Sequence, residues 1–135
     1  MQFEWKPKGR VVINEPKAVY AVMREGKLPK DREIFTALLL DAKNRVTRAV
    51  TVSVGTLTAS LAHPREIFKA AVRHSAASII LVHNHPSGDP TPSAEDLEIT
   101  ERIAEAGRVR GIDVLDHVIL GGNGKFESLR ERGAL

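Results

Sequence analysis

The chain has 135 residues and is 42% hydrophobic, which suits one domain built around a single core. It contains no cysteine, so disulfides, thiolate metal ligands and a cysteine nucleophile are excluded, and any metal must be held by histidines and carboxylates. The formal net charge is +3 and dispersed, without the Lys/Arg run of a nucleic-acid patch. No segment approaches the roughly 18–20 apolar residues of a membrane helix, and the N-terminus lacks the apolar stretch of a secretory signal, so a cytoplasmic protein is expected.

Residues 1–11, with Phe3 and Trp5 among basic side chains, read as a loose arm. A domain is expected over 12–130 and a polar tail over 131–135. Asn14 is placed to cap a helix over about 15–25, with Pro16 in its first turn, an inner stripe of Val19, Val22 and Met23, and Gly26 at its stop. The near-continuous apolar run from Ile34 to Leu40 predicts a strand buried on both faces, and Asp41 to Asn44 a hairpin turn. Residues 46–54 alternate: Val46, Arg48, Val50, Val52 and Val54 face one way, Thr47, Ala49, Thr51 and Ser53 the other, and Gly55 breaks the pattern. A helix from Pro64 to His74 would turn Ile67, Phe68, Ala71 and Val72 inward, and the apolar stretch 78–83 is the next strand. The loop 86–92 is stiffened by Pro86, Pro90 and Pro92. Ser93 opens a helix that carries Ile99, Ile103, Ala106 and Val109 and ends at Gly111. A strand from Val114 to Leu120, a turn at 121–124 and a short strand at 125–129 complete a mixed α/β layer fold, a sheet packed against helices.

The chemistry concentrates in residues 83–96. His83 and His85 stand two apart at a strand end, so their side chains share a face while Asn84 takes the other. Pro86 stops the strand there, at the carboxyl end where crevices of α/β sheets open. Asp96 follows in the first turn of the next helix. Catalytic zinc takes three protein ligands and keeps one position open, and His83, His85 and Asp96 meet that requirement. Two neutral imidazoles and one carboxylate would leave the ion a residual positive charge, able to acidify water and polarise a carbonyl. The competing reading of Ser93 and Asp96 is a capping box, in which Asp96 would not serve fully as both cap and ligand. Glu33, at the start of the 34–40 strand, is the candidate general acid/base; its plain alternative is an exposed strand-end carboxylate. Gly121 to Gly124 reads as a hairpin turn before a phosphate cradle. His117 reads as a partly buried structural histidine before it reads, with Asp116, as lining the cleft; His63 reads as part of a helix start, and His74 as a helix-end cation.

His83-Asn84-His85-Pro86, six residues, then Ser93 and Asp96, with Glu33 upstream, resembles the JAMM motif of MPN-domain metalloproteases. The closer similarity is to the RadC-like branch, through His83-Asn84-His85-Pro86-Ser87-Gly88-Asp89, Gly55-Thr56-Leu57, His63-Pro64-Arg65-Glu66 and Leu115-Asp116-His117. The resemblance implies a single MPN domain, related to cytidine deaminases, with a mixed central sheet flanked by helices. It implies Zn2+ held by His83, His85 and Asp96, Glu33 as general base, Ser93 as a hydrogen-bond donor to the developing oxyanion, and hydrolysis of a peptide or isopeptide bond in a protein substrate. The family's association with DNA repair implies the alternative, a module that binds DNA or a DNA-bound protein with a structural or nucleolytic metal site. DNA as a partner is not evident from the residues themselves. The helix-hairpin-helix region that many RadC proteins carry has no counterpart in this chain.

Overall fold

Ile34 to Leu40 is buried at every position, which a strand achieves only with neighbours on both edges and helices on both faces. In the computed structural model, which describes residues 3–9, 11–54 and 64–135, this strand occupies that central place. The strands are β1 (Phe3–Trp5), β2 (Ile34–Leu40), β3 (Val46–Val54), β4 (Ser78–Asn84), β5 (Asp113–Leu120) and β6 (Phe126–Ser128), in the sheet order β1-β3-β2-β4-β5-β6. β4 and β5 are parallel and the other pairs antiparallel, so the sheet is mixed. Helices α1 (Val19–Glu25), α2 (Pro64–Arg73) and α3 (Ala94–Arg110) complete the α/β domain. Among the described residues no helix is long and apolar enough to cross a membrane.

Two cores follow from the alternation of the central strands. Phe35, Ala37, Leu39, Ile79 and Leu81 meet α2 and α3 through Ile67, Phe68, Ile99 and Ile103. Leu38, Leu40, Ile80 and Val82 meet Val19 and Val22 of α1 on the opposite face. At about 25 cal/mol per Å2 of apolar surface, each fully buried Leu or Ile contributes roughly 2 kcal/mol. The parallel β4–β5 step needs a crossover, which α3 supplies. That crossover starts at the carboxyl end of β4, which keeps the start of α3 beside it, and returns the chain to the amino end where β5 begins.

Several local expectations change. The stretch expected as a loose arm contributes β1, an edge strand paired with β3. Its Trp5 ring lies on Gly26, where an added Cβ would meet Cη2 at 2.6 Å. Gly26 is thus required for this approach; its φ of −72° is ordinary helix geometry. The expected helix at 15–25 divides into a 3-10 turn at Pro16–Ala18 and α1, and its N-cap is Glu15, not Asn14. A register shift between Leu39 and Leu40 against β3 breaks the expected alternation: Val46 joins the α1-side core and Val50 the other. Val72 is 65% exposed and Val109 is 77% exposed, and the helix positions expected of them are filled by Ala70 and Gly107. Gly55-Thr56-Leu57 and His63 lie outside the described residues.

Candidate metal centre

β4 delivers His83 fully buried, and His85 follows just past the strand end, their rings 4.8 Å apart and nearly perpendicular. His85 keeps its place because its backbone N–H donates to the Leu120 carbonyl of β5 at 2.8 Å, and the chain then turns at Pro86. The stiff loop closes back on the β5–β6 turn, where Gly122 N–H donates to the Gly88 carbonyl at 2.8 Å. Gly121 permits this contact, since an added Cβ would sit 2.8 Å from Pro90 Cδ.

The loop ends at Ser93, which caps α3 in a complete capping box. Its Oγ accepts the Asp96 N–H at 3.1 Å, and Asp96 Oδ2 accepts the Ser93 N–H at 2.8 Å. The same carboxylate faces both imidazoles: Oδ2 is 3.1 Å from His85 Nε2 and Oδ1 is 3.5 Å from His83 Nδ1. Asp96 thus caps the helix and faces both histidines at once. Ser93 accepts in the cap, so its hydroxyl proton remains able to donate elsewhere.

Glu33 stands immediately before β2, with Oε1 3.2 Å from His83 Nε2. Glu33, His83 and His85 have ligand-capable atoms all within 4.8 Å of one another. The sequence-based set differs from this group in holding Asp96 where the group holds Glu33. Both carboxylates approach His83, one at each nitrogen.

Asn84, not singled out by its sequence context, explains why Glu33 is there. The β2–β4 ladder ends at Phe35 opposite His83. Beyond it the Asn84 side chain replaces the missing rung: Oδ1 accepts the Ile34 N–H at 2.7 Å, and Nδ2 donates to the Arg32 carbonyl at 2.9 Å. The peptide groups on either side of Glu33 are thus tied to the strand that carries the histidines.

Behind the histidines lies His117, completely buried, its ring 5.6 Å from both His83 and Phe35. Thr100 Oγ1 donates to the Asp96 carbonyl at 2.7 Å, so the 2.5 Å contact to His117 Nδ1 has the imidazole as donor. Burial, with a smaller contribution from the His83 imidazole, pushes the His117 pKa down to about 3, so this ring is neutral. Asp116 turns away and accepts from the Ser128 hydroxyl at 2.6 Å and the Arg130 N–H at 3.0 Å.

The protonation states test the site for a cation. Burial lowers the His83 pKa, favouring a neutral ring. Burial raises the Asp96 pKa, but the Ser93 hydrogen bonds and nearby imidazoles outweigh it and hold the carboxyl below its ordinary value. His85 Nδ1 lies 2.8 Å from the Asp89 carbonyl, which can only accept. In the neutral ring, Nε2 therefore aims a lone pair at Asp96 Oδ2. A neutral His83 carries one N–H between two carboxylates, and its Nδ1 is buried without a hydrogen-bond partner among the described residues. Lone pairs facing carboxylate oxygens repel unless a cation lies between them, so nitrogen and oxygen donors of this kind fit a zinc ion. The Asp89 carbonyl also fixes the His85 tautomer, as ligating histidines require.

The comparisons agree with this architecture. The profile of the RadC-like JAB domain matches residues 13–134. The chain is 56% identical over 126 residues to a UPF0758 protein of Desulforamulus reducens, covering 93% of this chain and 55% of that protein. It is 54% identical over 129 residues to UPF0758 protein STH371 of Symbiobacterium thermophilum, covering 96% and 55%. It is 49% identical over 121 residues to a UPF0758 protein of Methanosarcina mazei, covering 90% and 52%. The chain belongs to the RadC-like JAB domain family, within the JAMM/MPN superfamily. It spans about half the length of the curated relatives it matches.

Proposed function

We propose that this domain is a zinc-dependent hydrolase of peptide or isopeptide bonds, with His83, His85 and Asp96 holding the ion and Glu33 as general base. The observation that carries the reading is the convergence of two imidazoles and two carboxylates at nitrogen–oxygen separations of 3.1–3.5 Å, where the single N–H of neutral His83 serves only one of its two carboxylates and neutral His85 turns a lone pair to Asp96. Zinc, when bound, supplies a Lewis acid that polarises a carbonyl and acidifies water. The chain's own groups do the rest. Glu33 takes the proton of the attacking water on a carboxylate oxygen, then returns it to the leaving amine nitrogen as the carbon–nitrogen bond breaks. Ser93 donates its hydroxyl hydrogen to the oxygen of the attacked carbonyl as negative charge develops there.

Metal analysis of the purified chain and of His85→Ala tests the proposal. One zinc per chain in the wild type, lost in the variant, supports it. A wild type that is metal-free when prepared without chelator, and that takes up no added zinc, overturns it.

A further inference from the structure

At the other end of β2 from Glu33, roughly 20 Å away at about 3.3 Å per residue, lies a second polar cavity of about 370 Å3. Lys6, Arg45, Arg48 and His74 line it, with Asp41 as the only acid among the residues lining it. The register of β1 on β3 ends at Trp5 opposite Ala49, so Lys6 follows β1 where Arg48 precedes Ala49 on β3. Like charges across neighbouring strands repel, and nearby acids are otherwise engaged. Asp41 pairs with Arg45 at 2.7 Å, and Glu4 takes both Arg73 and His74 at 3.2 Å. Among the described residues neither Lys6 nor Arg48 has an ion-pair partner, and Arg48 Nε is buried without an acceptor. An arginine fork and an ammonium beside one cavity, both uncompensated, are the donor set for a phosphate oxyanion.

We propose that this cavity is a phosphate-binding site, with Arg48 and Lys6 as its principal ligands, occupied by a free phosphate monoester or by a backbone phosphate of a nucleic-acid strand. It is independent of the metal centre, so its test does not depend on zinc. The full chain is titrated with inorganic phosphate, with AMP and with a single-stranded DNA oligonucleotide, following the backbone amide resonances of Lys6, Val46, Thr47 and residue 48, which line the cavity, by nitrogen-15 NMR. Saturable shifts are expected, weakened about tenfold or more in Arg48→Gln, the loss expected for one charge-assisted contact. They should be retained in His85→Ala. Lys6 is exposed, so Lys6→Gln provides a second variant that leaves the fold intact and should also weaken binding. Equal affinity for AMP and the oligonucleotide identifies a free monoester. Tighter, steeply salt-dependent oligonucleotide binding identifies a strand. No saturable shift with any probe, or shifts unaltered in both variants, overturns the site.

Discussion

Glu33 and Asn84 define separable contributions to the centre. Glu33→Gln keeps a neutral side chain of the same length but removes the base. The variant is expected to retain zinc and lose hydrolysis of any peptide or isopeptide substrate that the wild type cleaves. Wild-type turnover by the variant would remove Glu33 from its role. Asn84→Ala leaves the Ile34 N–H and the Arg32 carbonyl without their partner, at a cost of about 1–3 kcal/mol by urea denaturation. Zinc content should persist, while hydrolysis falls by up to about 100-fold as Glu33 shifts. His117 makes a pH prediction for the metal-free protein. Its folded pKa of about 3 lies below the ordinary 6.5, so between those values the unfolded chain binds the extra proton. Its contribution is therefore complete above about pH 6.5 and is lost as pH falls toward 3, with a limiting slope of about 1.4 kcal/mol per pH unit. Urea midpoints measured from pH 7 to 4 should fall less steeply in His117→Phe than in the wild type.

At the scale of elements, the junction between loop 86–92 and α3 is where one substitution has two readouts. Ser93→Ala removes the acceptor for the Asp96 N–H, and a lost N-cap costs about 1 kcal/mol. A lowered melting temperature with zinc retained is the expected result. This junction was legible in the sequence because its signals are local: His83 and His85 at strand period, Pro86 as a stop, Ser93 and Asp96 at capping spacing. The two paired central strands and α3 were legible for the same reason. What escaped depends on partners distant in the chain. The Asn84 bridge joins residues 50 positions apart, and the burial of His117 depends on β4 and β5 lying side by side. β1 is three residues long and has no periodicity to recognise. Val72 and Val109 were misplaced because a helical stripe has margins, and only packing decides which neighbour turns inward.

For the whole molecule, zinc binding should be linked to stability, because His83 of β4, His85 just beyond it and Asp96 of α3 come from segments that unfolding separates. A ligand at 100 times its dissociation constant stabilises the folded state by about 2.7 kcal/mol. Added zinc should accordingly raise the melting temperature of the wild type and leave that of His85→Ala unchanged, as read by scanning calorimetry. The relatives' remaining length lies beyond what this chain spans, and the placement of the two polar sites at opposite ends of β2 leaves each accessible without the other.

The double engagement of Asp96 makes the beginning of α3 a gauge of the centre's occupancy. The oxygen that accepts the Ser93 N–H also faces His85 Nε2, so a cation drawing on that oxygen must alter the electron density available to the cap. Amide hydrogen exchange at Ser93 should therefore respond to metal loading, whereas exchange deep in α3 should not. Asp96→Asn retains a carbonyl acceptor for the cap while removing the charge, and it should silence that response.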